Sequence, residues 1–217
     1  NRVLILVPDA LVNQWFVELL RRFNLVASVI DEERCEALES DDPEGNPYLS
    51  CQIALSSIDY IAGDEERTAQ CVEAGWDLLI VDEAHHLEWS PDSASVAYEL
   101  VETLAADASG LLLLTATPQQ LGPEGHFARL RLLDPERYDS LEKFRQEAEL
   151  YTQTAAAVDR LLSSQELTPE DHAVFSQKSG RVRKLTEALA SGGDETRQQL
   201  VACLLDEFGT GRVMFRN

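Results

Sequence analysis

The sequence predicts an α/β fold, in which helices cover a parallel β-sheet, followed by a segment made only of helices. Up to residue 114, short apolar runs without a charge alternate with stretches of helical periodicity. Uncharged runs of four to six residues are typical of strands that are buried on both faces, as parallel sheets require. Strands that alternate with helices indicate right-handed crossovers. We expect two domains, at 1–138 and 139–217.

Five strands are predicted, each bounded by a turn or by the start of a helical pattern. They lie at 2–7, 26–30, 52–56, 78–81 and 110–114. Pro8 ends the first strand, because proline has no N–H with which to continue the ladder. The intervening helices are expected at 10–23, within 31–47, from 57, at 64–74 and at 91–106. Gly75 ends the fourth helix, since glycine readily adopts the left-handed conformation that follows a helix.

One face of the first predicted helix is apolar. Leu11, Trp15, Leu19 and Phe23 recur at helical spacing. We therefore expect Trp15 to pack this helix against the sheet.

From Ser140 onward the sequence shows only helical patterns. They are expected at 140–163, 168–177, 181–190 and 194–207. Thr168 and Pro169 begin the second of these helices, because threonine is a good N-cap and proline suits the first helical position. Residues 212–216 fit a strand or a linker, and we expect His126 and His172 to be surface residues.

Charge and hydropathy exclude several classes of protein. The net charge is −21, and the first 120 residues contain 23 acids but only five arginines. This balance argues against a self-sufficient nucleic-acid-binding domain, which needs a basic surface. No apolar run approaches the length of a membrane span, and no leader precedes the first strand. We expect a cytoplasmic protein without a membrane segment, cut from a longer chain.

The four cysteines give no sign of a metal site or a disulfide framework. Cys35, Cys51, Cys71 and Cys203 form no CxxC pair and have no histidine at metal-ligand spacing. We expect reduced thiols, as is usual in the cytoplasm.

Two adjacent acids follow the apolar strand 78–81. Open α/β sheets bind ligands at the carboxyl ends of their strands, so Asp82 and Glu83 stand where a ligand is expected. An aspartate there can hold Mg²⁺ through the water shell of the ion, and a neighbouring glutamate can orient a water for attack on a phosphoryl group. The pattern therefore predicts half of a nucleotide-hydrolysis site.

A second polar group follows the next strand. Thr115, Ala116 and Thr117 come directly after strand 110–114, and we expect them at the same edge of the sheet as the acids. Either motif alone is a common strand end. The two motifs together, in this order, are far more specific.

The two motifs resemble motifs II and III of the superfamily-two helicase-like ATPases, with Asp82-Glu83-Ala84-His85 as the DEAH box and Thr115-Ala116-Thr117-Pro118 as motif III. Val7-Pro8-Asp9, with Gln14-Trp15 on the next helix, is similar to motif Ia of the Swi/Snf-type branch. Three further features resemble the bacterial members of that branch that associate with RNA polymerase and recycle it after transcription. They are the second histidine after the DEA triplet (His86), the acidic segment 31–47 and the final segment 209–217.

The resemblance implies a RecA-like P-loop NTPase lobe with a three-layer parallel sheet and a C-terminal helical extension. It implies that Asp82 holds the Mg²⁺ of ATP and that Glu83 orients the hydrolytic water. His85, hydrogen-bonded towards Thr115 and Thr117, would couple the nucleotide state to the nucleic-acid path.

The same resemblance implies a nucleic-acid surface and several partners. Pro8, Gln14 and Ser56 would lie near the phosphate backbone of duplex DNA. The partners would be duplex DNA, RNA polymerase and a second RecA-like lobe of the same protein. His86 lies outside the four-residue motif, and its role stays open.

One departure from the family pattern matters for activity. The first motif of the family is a glycine-rich loop that ends in Gly-Lys-Thr, and none of the three lysines here (Lys143, Lys178, Lys184) follows a glycine. That loop supplies the lysine and the backbone N–H groups that bind the phosphates. We therefore expect this chain alone to be inactive towards ATP.

Three alternatives remain open from the sequence. One is a lobe of another superfamily-two enzyme, such as an RNA helicase or a restriction-type motor. Another is an interaction module that keeps the acidic motif without catalysis. The third is a metal site formed by Asp82, His85 and His86 without a nucleotide, although no familiar metal-ligand spacing supports it.

Overall fold

The computed structural model describes residues 1–116, 122–176, 179–189 and 193–208. The chain divides into two compact units, Asn1–Leu141 and a second unit that begins at Glu142. The predicted strand or linker at 212–216 lies outside the described residues.

A parallel sheet forms the centre of the first unit. Its strands and those of a small hairpin are β1 (Val3–Val7), β2 (Ser28–Val29), β3 (Ile53–Ser57), β4 (Leu78–Val81), β5 (Trp89–Ser90), β6 (Ser93–Ala94) and β7 (Gly110–Leu113). The sheet order is β2-β3-β1-β4-β7, with every neighbouring pair parallel. Val3 pairs with Ile53 on one side and with Leu78 on the other, so β1 is the central strand. The predicted α/β class and all five predicted sheet strands are confirmed.

Helices cover both faces of this sheet. They are α1 (Val12–Phe23), α2 (Glu32–Asp41), α3 (Ile58–Ala62), α4 (Glu65–Ala74), α5 (Val96–Asp107) and α6 (Gly122–Leu133). Alternate residues of a strand point to opposite faces. Ile5 and Val7 belong to a cluster that includes side chains of α1, whereas Leu4 and Leu6 belong to a larger cluster formed with α2–α6. The result is a three-layer, RecA-like architecture.

The helix predicted at 91–106 begins later in the structure. Residues from Trp89 to Ala94 form the antiparallel hairpin β5–β6 instead. α5 starts only after Ser95, whose hydroxyl accepts a hydrogen bond from the N–H of Tyr98 at 3.2 Å. This serine cap fixes the start of the helix more firmly than the apolar spacing upstream of it.

Helix α6 was not predicted, and it changes the position of His126. The histidine is half-buried on α6, and burial, with a smaller contribution from Arg129, lowers its pKa. The expectation of a surface residue was therefore wrong for His126. A glycine at either side of Glu124 hid the helical pattern in the sequence.

The second unit is helical in its described residues, as predicted. Its helices are α7 (Leu141–Leu162), α8 (Pro169–Ser176), α9 (Gly180–Ala188) and α10 (Asp194–Phe208). A separate core contains Leu161, Phe175 and Leu200. Thr168 caps α8 as expected, since its hydroxyl accepts from the N–H of Asp171 at 3.2 Å. His172 is exposed, as predicted.

Within the described parts of the chain, no helix has both the length and the apolar character needed to span a lipid bilayer.

Candidate active site

The carboxyl ends of β1, β4 and β7 meet at one edge of the sheet. Beyond the strands, the N–H of Asp82 donates to the carbonyl of Leu6 at 2.9 Å, and the N–H of Leu114 donates to the carbonyl of Val81 at 2.8 Å. The N–H of Ala84 then donates to the carbonyl of Leu114 at 2.8 Å. These backbone bonds hold the acidic segment firmly between its two neighbouring strands.

Asp82 has a partly exposed carboxylate with a defined orientation. Its Oδ1 accepts a hydrogen bond from the N–H of Glu83 at 2.9 Å, and its Oδ2 accepts one from the indole Nε1 of Trp15 at 2.7 Å. A carboxylate oxygen has two lone pairs, so each oxygen retains one acceptor position after these contacts. Asp82 is thus oriented and still able to bind a ligand.

Glu83 adopts a backbone conformation that is rare for its residue type. Its φ of +50° and ψ of +41° lie in the left-handed region, which costs an L-residue with a Cβ atom roughly 1–2 kcal/mol. Strain of this kind is found preferentially at functional sites. Here it turns the chain sharply after Asp82 and directs the Glu83 side chain towards His85.

The imidazole of His85 links Glu83 to the end of β7. Its Nδ1 lies 3.0 Å from Oε2 of Glu83 and 3.3 Å from the hydroxyl of Thr115. Oε2 of Glu83 is buried, and its 3.0 Å contact with His85 lacks the geometry of a hydrogen bond. The predicted partner Thr117 lies outside the described residues. His86 is exposed, and its ring lies against that of His85 with 4.1 Å between centroids.

The three residues expected near nucleic acid differ in exposure. Pro8 is partly exposed directly after β1, and Gln14 is exposed on α1. Ser56 is fully buried in β3, and its hydroxyl donates to the carbonyl of Ile30 at 2.6 Å. This placement argues against a nucleic-acid contact by Ser56, because its one donor already stabilises the pairing of β2 and β3.

The acidic pair fits a magnesium ion shared with a nucleotide better than a metal held by protein alone. Among the described residues there is no group of three or more His, Cys, Asp or Glu side chains that could hold a metal ion. Mg²⁺ is commonly bound by one or two carboxylates together with substrate phosphates and waters. Asp82, with its free acceptor positions, fits that role. The geometry gives no support to a metal site of Asp82, His85 and His86.

The contact of Trp15 with this site was missed in the sequence. Its helical spacing indicated only packing against the sheet, and Trp15 does pack there, against the cluster that contains Ile5 and Val7. The available signal was the indole N–H itself, because a partly buried tryptophan usually finds a hydrogen-bond acceptor. Periodicity could not show that the acceptor would be Asp82, which lies 67 residues away in the chain.

Three close relatives align with the whole chain. Each is named RNA polymerase-associated protein RapA. They come from Pseudomonas putida strain W619 (49% identical over 218 residues), Pseudomonas fluorescens strain SBW25 (50% over 218) and Vibrio cholerae serotype O1 strain M66-2 (47% over 224). The alignments cover 100% of this chain but only 23% of each relative.

A family model also matches most of the chain. The SNF2-related domain matches residues 1–191, which include the acidic strand end, the β7 strand end and most of the described part of the second unit. The fold agrees with these matches, and the chain belongs to the SNF2-related domain family.

Proposed function

We propose that the complete protein is an ATP-dependent motor that translocates on duplex DNA and acts on RNA polymerase, recycling it after transcription. We propose that it is localised in the bacterial cytoplasm, where the four free cysteines would remain reduced. The names of the relatives support the polymerase partner. The single observation that supports hydrolysis is the position of Asp82 and Glu83 at the carboxyl end of β4, between the ends of β1 and β7.

In this proposal the two acids have different tasks. Asp82 would bind the water shell of the Mg²⁺ that accompanies ATP, and its carboxylate is already oriented by two donors. The ion would neutralise charge on the phosphates during transfer. Glu83 accepts a hydrogen bond from the attacking water and so orients it. The Glu83 side chain is 31% exposed, and since Oε2 is buried, its other oxygen is the one that water can reach.

His85 and Thr115 would connect this chemistry to movement. Thr115 follows β7 and His85 follows β4, so a shift of either strand end alters their 3.3 Å contact. Because the same imidazole nitrogen lies 3.0 Å from Glu83, such a shift also reaches the hydrolytic glutamate. Thr117 is proposed as the second partner of His85.

Pro8 and Gln14 are proposed to face the DNA backbone from the edge formed by β1 and α1. The first 120 residues have a strong excess of acids, so most of the phosphate affinity must come from other parts of the protein. We propose that residues 1–138 form part of the first RecA-like lobe. Residues 139–217 would connect it to the second lobe.

Glu83→Gln in the complete protein tests the proposal. The amide keeps the size of the side chain but is a poor acceptor of a proton from water. We expect the DNA-stimulated ATPase rate to fall roughly 100-fold or more, as for loss of a general base, while nucleotide binding persists. Glu88→Gln is the matched control. It removes the same charge from a glutamate that is exposed and lies five residues further along the chain.

The outcome separates catalysis from simple binding. An unchanged ATPase rate and unchanged action on polymerase in Glu83→Gln would assign hydrolysis elsewhere and favour a non-catalytic interaction module. Loss of activity in both variants would point to charge or folding, and not to the hydrolytic role of Glu83.

A further inference from the structure

Trp15 contacts the candidate active site from the neighbouring helix. Its indole Nε1 donates to Oδ2 of Asp82 at 2.7 Å, and the ring packs against the cluster that contains Ile5 and Val7 on one face of the sheet. One side chain therefore serves as packing for α1 and as a donor to the proposed magnesium residue.

The acceptor sets this tryptophan apart from the other two. Trp76 donates to the backbone carbonyl of Cys71 at 2.8 Å, just before the start of β4, and Trp89 packs among aromatic rings. A hydrogen bond to a carboxylate is charge-assisted and about twice as strong as one between neutral groups. The hydrogen bond of Trp15 therefore adds to the stabilisation that the packing of its ring provides.

The orientation of an aspartate carboxylate is otherwise loosely determined. The terminal torsion of an aspartate side chain is broad and has no sharp staggered minima. In this site the N–H of Glu83 fixes Oδ1 and the indole of Trp15 fixes Oδ2. Among the described residues, removal of the indole donor would leave the backbone N–H of Glu83 as the remaining hydrogen-bond donor to the carboxylate.

We propose that Trp15 is a positioning residue, whose indole N–H holds the Asp82 carboxylate in the orientation that binds the water shell of Mg²⁺. This inference rests on the proposed function of Asp82. Partners that orient a metal-binding side chain typically change metal affinity 10–100-fold when they are removed. The expected effect is therefore on the Mg²⁺ requirement, more than on the rate at saturating Mg²⁺.

The test uses Trp15→Phe in the complete protein, with Trp76→Phe as the matched control. Both changes remove an indole donor, but Trp76 lies at the opposite end of β4 from Asp82. We expect Trp15→Phe to raise the Mg²⁺ concentration for half-maximal ATPase and for half-maximal nucleotide binding roughly tenfold. Trp76→Phe should leave both values unchanged. An equal Mg²⁺ requirement in wild type and Trp15→Phe overturns the proposal.

A spectroscopic measurement checks the contact without activity. In protein labelled with 5-fluorotryptophan, the ¹⁹F signal that disappears in Trp15→Phe should shift in Asp82→Ala, while the signal of Trp76 stays in place. An unmoved Trp15 signal also overturns the proposal. If Trp15→Phe does not fold, benzothienylalanine at position 15 keeps the bicyclic shape, replaces the N–H by sulfur, and should give the same tenfold shift.

The outcomes distinguish this inference from the proposed function. A wild-type protein that neither hydrolyses ATP nor binds a nucleotide with Mg²⁺ removes the proposed function and this inference with it. An active wild-type protein with an unchanged Mg²⁺ requirement in Trp15→Phe removes only the role of Trp15.

Discussion

The Nδ1 atom of His85 lies 3.3 Å from the hydroxyl of Thr115, so the segment after β4 touches the segment after β7 at the candidate active site. The same nitrogen lies 3.0 Å from Oε2 of Glu83. A movement at the end of one strand therefore reaches the proposed hydrolytic group through a single imidazole ring.

Thr115→Val should uncouple ATP hydrolysis from DNA. Valine keeps the branched shape but removes the hydroxyl next to His85. We expect the ratio of DNA-stimulated to basal ATPase activity of the complete protein to fall roughly fivefold or more, in line with typical coupling energies. Steady-state assays with and without duplex DNA measure the ratio. Thr115→Ser keeps the hydroxyl and should restore it.

A second threonine provides the control for this prediction. Thr103 is exposed on α5, where its hydroxyl donates to the carbonyl of Glu99 at 2.8 Å. Thr103→Val should leave the stimulation ratio unchanged. A normal ratio in Thr115→Val would contradict the coupling role of the His85–Thr115 contact.

The backbone at Glu83 predicts an unusual order of stabilities. Because its φ is +50°, Glu83→Gly should be more stable than Glu83→Ala by about 1 kcal/mol, since glycine enters the left-handed region without a Cβ clash. Urea unfolding of the two variants measures the difference. At Glu88, which has no positive φ, the order should reverse. An alanine variant at position 83 as stable as the glycine variant would contradict the left-handed conformation.

The sequence predicted the sheet well because its strands are short, uncharged runs between clear turn signals. It failed where a local interaction overrode periodicity, as at Ser95, whose side-chain cap delays α5. It also failed at α6, where glycines weaken the helical pattern. Phe23 fits the apolar face of α1 but is 67% exposed. Periodicity alone could not predict this exposure, because it does not show how far the sheet extends beneath a helix.

The acidic pair was predictable because it directly follows a strand. The order of the strands was not predictable from their alternation alone, and that order brings Thr115 to His85. Nor does any local pattern link Trp15 to Asp82, since their contact depends on the packing of α1 against the sheet. Positions along one strand can be inferred from sequence, whereas contacts between elements require the fold.

This chain by itself should not hydrolyse ATP or bind DNA tightly. Its sequence contains the acidic half of a hydrolysis site but no Gly-Lys-Thr loop for the phosphates. Its net charge of −21 also opposes contact with the DNA backbone. Phosphate release and fluorescence anisotropy with labelled duplex DNA measure the two activities. DNA-stimulated hydrolysis by the 217-residue chain would contradict this prediction.

The ion pair between Arg160 and Asp171 predicts how the second unit responds to acid. Asp171 is buried, and its carboxylate accepts hydrogen bonds from Arg160 at 2.6 and 3.0 Å and from the N–H of Thr168 at 2.8 Å. Burial, the largest influence, raises the pKa of Asp171, but the hydrogen bonds from Arg160 and Thr168 together outweigh it and lower the pKa below its ordinary value of 3.8.

A lowered pKa in the folded state means that the ionised form of Asp171 stabilises the fold. This stabilisation is complete above the ordinary pKa of 3.8 and is lost as the pH falls through the lower, folded-state value. Asp171→Asn should therefore cost about 1–3 kcal/mol of unfolding free energy at neutral pH and flatten the acid limb of the stability curve.

Asp194→Asn is the matched control, because Asp194 is 88% exposed and pairs with Arg197 at 3.5 Å, so its loss should cost little. Urea unfolding followed by circular dichroism between neutral and acidic pH measures both variants, and equal acid limbs in wild type and Asp171→Asn would contradict the assignment.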